Sequence, residues 1–169
     1  MENVWYARID ETPIDHLWAA VCEDGLVAIK FRGSEEEFTS YVHKLTGLTP
    51  QKDESKLKLV FQQLSSYFSG NLKVFDLPIC WSVMTEFQQK ALNLVYSIPY
   101  GQLRTYGDIA LALGDLKAIR AVGRANATNP IPLVIPCHRV IGADGKLTGF
   151  AGGIETKAWL LRLEGSWLL

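Results

Sequence analysis

TYGDIALALGDLKAIRAVGRANA, Thr105 to Ala127, carries two helix starts within one short span. Thr105 and Asp108, three residues apart, have the form of a capping box that opens a short helix, and Gly114 closes it. Asp115 then caps a second helix, Leu116 to about Ala127. Two short helices across a glycine-containing turn are the sequence form of a helix-turn-helix, although many helical hairpins never meet DNA. Lys117, Arg120 and Arg124 fall on one face of the second helix, and Ala118, Val122 and Ala125 on the opposite one. Small residues, Ala121, Gly123 and Ala127, would let that backbone approach a phosphate ribbon or enter a groove. From Leu116 to Ala143 there is no Asp or Glu, whereas Lys117, Arg120, Arg124 and Arg139 all lie inside the window. A solvated helix face is the competing reading, and the basic stripe on an apolar back favours nucleic-acid contact.

Directly downstream, NPIPLVIPCHRVIGADG (Asn129 to Gly145) places a thiol and an imidazole side by side after a proline. Leu133, Val134 and Ile135 read as a short apolar strand that delivers Cys137 to a strand end, with prolines 130, 132 and 136 stiffening the approach. Three chemistries are open: a metal site, a Cys/His hydrolase, or a thiol that accepts a group. A metal site is disfavoured because adjacent side chains in an extended segment point apart and no second ligand pair exists at suitable spacing. A hydrolase needs a histidine beside the thiol and a third group to orient it. No histidine follows His138, while His16 and His43 lie in the acidic N-terminal half, so the base must be His138 itself. Immediate neighbours rarely touch, which requires a bridging water or a sharp bend at Cys137. Glu164, in LLRLEG, is the candidate orienter. His138 and Arg139 supply positive charge that would favour a thiolate.

Upstream, HLWAAVCEDGLVAIKF has the composition of a hairpin about Asp24-Gly25. Ser34 with Glu37 predicts a capped helix through Phe38, Tyr41, Val42 and Leu45 to Gly47, and Leu57 to Phe68 predicts a second amphipathic helix ending at Gly70. TPQKDESK between them reads as a loop, and NLKVFDLPICW as a proline-broken edge strand running into a linker. The character changes near Ser82, where Thr85 and Gln88 open another helix that Pro99 ends. This predicts an α/β domain over 1–80 and a mostly helical one over 81–169.

The net charge of −1 gives no global sign of a nucleic-acid partner; only its distribution does. No run approaches the roughly 20 apolar residues of a membrane span, and no signal-like segment opens the chain, so a cytoplasmic protein is expected. Three widely spaced cysteines without CxxC suggest neither a disulfide framework nor a zinc site, and Cys22 and Cys80 read as inert core residues.

IPCHRVIGADGKLTGFAGG, followed by KAWLLRLEG and preceded by RTYGDIA and AIRAVGRANATNPIPLVIP, resembles the O6-alkylguanine-DNA alkyltransferase family over about Thr85 to Gly165. The resemblance implies an RNase H-like α/β domain followed by a winged-helix-like domain with a helix-turn-helix. It implies direct, single-turnover transfer of an alkyl group from O6-alkylguanine, and possible action on O4-alkylthymine, with Cys137 as acceptor. His138 becomes the water-mediated base, Glu164 its orienter and Asn129 the brace of the turn carrying the cysteine. Tyr106 crowds the flipped nucleotide and donates to the guanine ring, and Arg120 fills the gap in the base stack. Thr105, Lys117, Ala121 and Arg124 accompany Arg120 on the DNA face, in the minor groove. Val140, Phe150 and Ala151 join Tyr106 in the base pocket. Phe150 stands where many members have tyrosine, and Ala151 where some have serine. Neither metal nor cofactor is implied, the partner is double-stranded DNA carrying an alkylated guanine, and the protein is expected to be a monomer. A lesion sensor without transfer is the alternative within the resemblance, and a Cys/His hydrolase the alternative outside it.

Overall fold

The computed structural model describes residues 1–167, which fall into two compact units, Met1–Met84 and a second beginning at Thr85. In the first, β1 (Val4–Ile9), β2 (Leu17–Cys22) and β3 (Gly25–Phe31) form an antiparallel meander. A two-residue strand, β4 (Gln51–Lys52), adds to β1 in parallel, giving the order β3-β2-β1-β4. Register places Val4 opposite Cys22 and Tyr6 opposite Ala20, so these side chains share one face of the sheet. Helix α1 (Glu35–Thr46) covers that face with Phe38 and Val42, and Phe38 stacks on Trp18 with ring centroids 5.8 Å apart. Its start is the expected box: Glu37 N–H donates to Ser34 Oγ, and Ser34 N–H to the Glu37 carboxylate. Gly47, at φ 74°, ends it. Helix α2 (Lys58–Phe68) buries Val60, Leu64, Tyr67 and Phe68 and stops before Gly70 at φ 79°.

Three expectations change here. TPQKDESK is more than a loop, because it holds β4 and a 3-10 turn, Glu54–Leu57, capped by Asp53. The hairpin turn is Glu23-Asp24, since Gly25 already pairs with Cys22. NLKVFDLPICW is not an edge strand but irregular chain with a single bridge, Leu26 to Ile79, until Trp81 opens a 3-10 turn. Leu26 N–H donates to Pro78 O at 2.8 Å, and Cys80 N–H to Leu26 O at 2.9 Å. A proline has no N–H to continue such a ladder, so the segment covers the exposed edge of β3 for one residue only.

Gly25 makes that close approach possible. Its φ is +133°, and a Cβ there would lie 2.4 Å from Pro78 O. Gly25→Ala is therefore expected to cost roughly 2–5 kcal/mol, from backbone strain plus steric overlap. Urea denaturation checks this, and a midpoint equal to that of the wild type would contradict it.

In the second unit, α3 (Glu86–Tyr96) starts at a Thr85–Gln88 capping box and packs against α4 (Tyr106–Ala112) and α5 (Ile119–Ala127). Thr105 and Asp108 cap α4 reciprocally, and Gly114 turns the chain at φ 84°. The helix expected from Leu116 is split. Asp115 closes a 3-10 turn over Leu116–Ala118 through Lys117 N–H, and only from Ile119 does α-helical geometry begin. A two-residue parallel pair joins β5 (Arg104–Thr105) to β6 (Val140–Ile141), and α6 (Ile154–Leu163) closes the unit. Among the described residues, no helix is long and apolar enough to cross a membrane.

Candidate active site

Leu133, Val134 and Ile135 are not a strand. Asn129, buried just beyond α5, donates from Nδ2 to Ile135 O at 2.9 Å, while its Oδ1 accepts from Ile131 N–H at 2.9 Å. Ile135 N–H donates back to Ile131 O, and Leu133 is driven to φ 75°. A side chain that satisfies both ends of a five-residue turn leaves no backbone groups for a strand ladder. Cys137–Arg139 then forms a 3-10 turn, bent by Cys137 N–H donating to Ile135 O at 2.8 Å. Asn126, in the last turn of α5, donates from Nδ2 to Cys137 O at 3.2 Å. Sequence reading missed Asn126; its position one helical turn before Asn129 was the available signal.

His138 is fully buried, and its Nε2 lies 2.8 Å from Glu164 Oε1. Arg139 Nε donates to Glu164 Oε2 at 2.9 Å, Nη2 to Oε1 at 2.8 Å, and Nη1 to Ile98 O at 2.6 Å. Burial alone would raise the Glu164 carboxyl, but the hydrogen bonds from His138 and Arg139 outweigh it and hold it at about 2. An ionised carboxylate only accepts, so Nε2 carries the imidazole proton and Nδ1 is the basic nitrogen. Burial pushes the His138 pKa down against the pull of Glu164, whose charge Arg139 already balances. His138 is neutral at rest.

The thiol differs from expectation. Burial pushes Cys137 up to about 11, opposed by a hydrogen bond from Asn129 and the charge of Lys157. Arg139, read from sequence as a cation favouring the thiolate and as part of the basic window, is instead buried in the ion pair with Glu164. At rest the acceptor is therefore a thiol beside a neutral base.

Tyr106 OH lies 2.7 Å from Thr148 Oγ1, and Phe150 sits edge-on to His138 with centroids 6.4 Å apart. Val140 is buried and Ala151 exposed. Lys157, unremarked in the sequence, is fully buried and donates to Val140 O at 2.6 Å. On α5 and the preceding turn, Lys117, Arg120 and Arg124 are exposed, Ala121 and Gly123 half-buried, and Val122 and Ala125 buried. Thr105 Oγ1 is engaged in the α4 cap, accepting from Asp108 N–H at 3.0 Å.

In the other unit, the ligand atoms of Cys22, Cys80 and Asp24 all lie within 4.8 Å of one another. His16 is elsewhere, bonded to Asp15 and Gly33 O.

Comparison with known proteins assigns the chain. The model for the 6-O-methylguanine DNA methyltransferase DNA-binding domain matches residues 86–166, and that for the ribonuclease-like domain of the same enzymes matches residues 5–80. This chain belongs to the methylated-DNA–protein-cysteine methyltransferase family. The methyltransferase of Methanosarcina acetivorans is 43% identical over 164 residues, covering 95% of this chain and 99% of that protein. The constitutive enzyme of Bacillus subtilis is 42% identical over 160 residues, covering 94% of each. Among solved structures, the Mycobacterium tuberculosis O6-methylguanine methyltransferase matches with TM-score 0.80 at 38% identity, over 98% of this chain and 95% of that one. A complex of the M. tuberculosis protein with DNA matches with TM-score 0.80 over 95% of this chain and 92% of that one.

Proposed function

We propose that this chain repairs O6-alkylguanine in double-stranded DNA by moving the alkyl group to Cys137, once per molecule. The observation that carries the reading is a buried cysteine next to a histidine whose far nitrogen is fixed on an ionised glutamate. The target carbon is unreachable inside a duplex, so the nucleotide must be flipped out. Arg120, exposed on the basic face of α5, fills the vacated stack from the minor groove, with Thr105, Lys117, Ala121 and Arg124 along the same contact. Val140, Phe150 and Ala151 line the pocket, and Tyr106 exchanges its bond to Thr148 for one to the guanine ring.

The thiol proton passes through a water to His138 Nδ1, whose new charge Glu164 stabilises across the ring. The Cys137 sulfur attacks the alkyl carbon in line, forming the S–C bond as the C–O6 bond breaks. The electron pair leaves on guanine O6, and Tyr106 supplies a proton to the ring. Reprotonation of Tyr106 at the expense of the imidazolium restores both groups, so the net proton moves from thiol to guanine. A thioether resists water, and no step needs a metal or cofactor. The finer fold reading is RNase H-like for the first unit and winged-helix-like for the second. It goes with a cytoplasmic monomer, because one basic face and one acceptor suffice for one lesion.

The test separates DNA handling from chemistry. Arg120→Ala should slow transfer from duplex O6-methylguanine about 10- to 100-fold, the equivalent of a few kcal/mol of lost help in unstacking. Cys137 labelling by the free base O6-benzylguanine should stay unchanged. Equal losses on both substrates, or more than one equivalent transferred per wild-type chain, would overturn the reading.

A further inference from the structure

We propose that Lys157 is the counter-ion of the Cys137 thiolate and couples the nucleophile to the loop that holds Tyr106. The inference rests on Cys137 as the acceptor. Lys157 has no exposed surface, and its Nζ donates to Val140 O at 2.6 Å and Thr148 O at 3.4 Å. Both partners are neutral carbonyls, and among the described residues no carboxylate forms an ion pair with it. A buried ammonium without an anion is costly unless a charge nearby compensates it.

The alternatives are already committed. Arg139 spends Nε and Nη2 on Glu164 and Nη1 on Ile98 O, and His138 is bound to the same carboxylate. That leaves Lys157 as the buried cation whose charge is not cancelled by Glu164, and Cys137 as the group whose ionisation would balance it. Burial lowers the Lys157 pKa to about 8, and Cys137 acts on it in the opposite sense. The effect is mutual, since Lys157 favours the thiolate. It also disfavours protonation of His138, so it biases the shared proton's departure toward the guanine side.

The same ammonium spans two parts of the pocket. Val140 opens β6, three residues after Cys137, while Thr148 belongs to the loop before α6 and holds Tyr106 OH through Oγ1. The titratable groups linked to this arrangement are Cys137 and His138 from the 3-10 turn, through charge, and Tyr106 from α4, through Thr148. Arg139 and Glu164 are bonded to each other, with His138 on the same carboxylate, and Glu155 on α6 itself is exposed.

Alkylation of Cys137 by iodoacetamide, read by peptide mass between neutral and alkaline pH, tests the proposal without DNA or guanine. In the wild type the rate should climb about tenfold per pH unit, flatten for about one unit as Lys157 loses its proton near pH 8, then climb again. Lys157→Arg, which keeps its charge, should climb without the flat segment. Lys157→Met should climb without it too, at about a tenfold lower rate in neutral solution. A lysine that only ties the loop predicts otherwise: no flat segment in the wild type, and faster labelling in Lys157→Met as the loop opens. Either result overturns the proposal. Should Lys157→Met not fold, the wild type and Lys157→Arg still decide it by the presence and loss of the flat segment. Failure of methyl transfer in a wild type that shows the flat segment would count against the repair reading and not against Lys157.

Discussion

Cys137→Ser folds and transfers no alkyl group, from duplex O6-methylguanine or from O6-benzylguanine. The hydroxyl occupies nearly the same volume, but it is far less acidic than a thiol already held at about 11, and it is a much poorer nucleophile toward saturated carbon. His138 and Glu164 remain in place and have nothing to activate. Burying a hydroxyl where the thiol is 3% exposed costs about 1–3 kcal/mol. Circular dichroism should therefore show a folded variant with a modestly lower melting temperature, and intact-mass analysis no adduct. Any adduct on the variant would move the acceptor away from Cys137.

The second large effect is Glu164→Gln. Removing this carboxylate leaves Arg139 buried without its ion pair, a loss of about 3–5 kcal/mol. It also removes the charge that would stabilise a protonated His138, so transfer should fall by about 10²–10⁴-fold. The pH dependence has a definite sign. Glu164 sits at about 2 in the folded chain against an ordinary 4.5, so its contribution is fully present above about 4.5 and lost as pH falls through about 2. That contribution is on the order of 3 kcal/mol. His138, lowered by burial, adds its own loss as pH falls below its ordinary value of 6.5. Urea denaturation at stepped pH should show both proteins weakening as pH falls, because Glu23 and His138 are common to them, with the wild type losing about 3 kcal/mol more than Glu164→Gln between about 4.5 and 2. Parallel curves would refute the assignment.

Local signals were legible in the sequence and long-range ones were not. Ser34 with Glu37, Thr85 with Gln88 and Thr105 with Asp108 each act across three residues, and all three boxes form. The basic stripe follows from helical spacing for Arg120 and Arg124, which are exposed, while Lys117 is exposed on the 3-10 turn before α5. β1 went unread because its six residues become a strand only through pairing with a separate segment, from Ile9 opposite Leu17 to Val4 opposite Cys22. Leu133 to Ile135 carry strand-like side chains, yet the Asn129 amide claims the backbone groups that a ladder would use. Glu164 was found as a partner for His138, but its second partner, Arg139, was assigned to the thiol. Two cations 25 and 26 residues distant compete for one carboxylate, and no pattern along the chain ranks them. Lys157 was invisible for a related reason, since a lysine in a helix ordinarily reads as solvent-facing.

A reagent that can be used only once has to keep until it is needed. Oxidation of a cysteine follows its thiolate character and its exposure, and Cys137 has little of either, being 3% exposed with its thiol held at about 11. At neutral pH the resting sulfur is held as the thiol. Peroxide and stray electrophiles thus meet a dormant sulfur, and the molecule's shelf life is set by the same burial that makes it depend on His138 to fire.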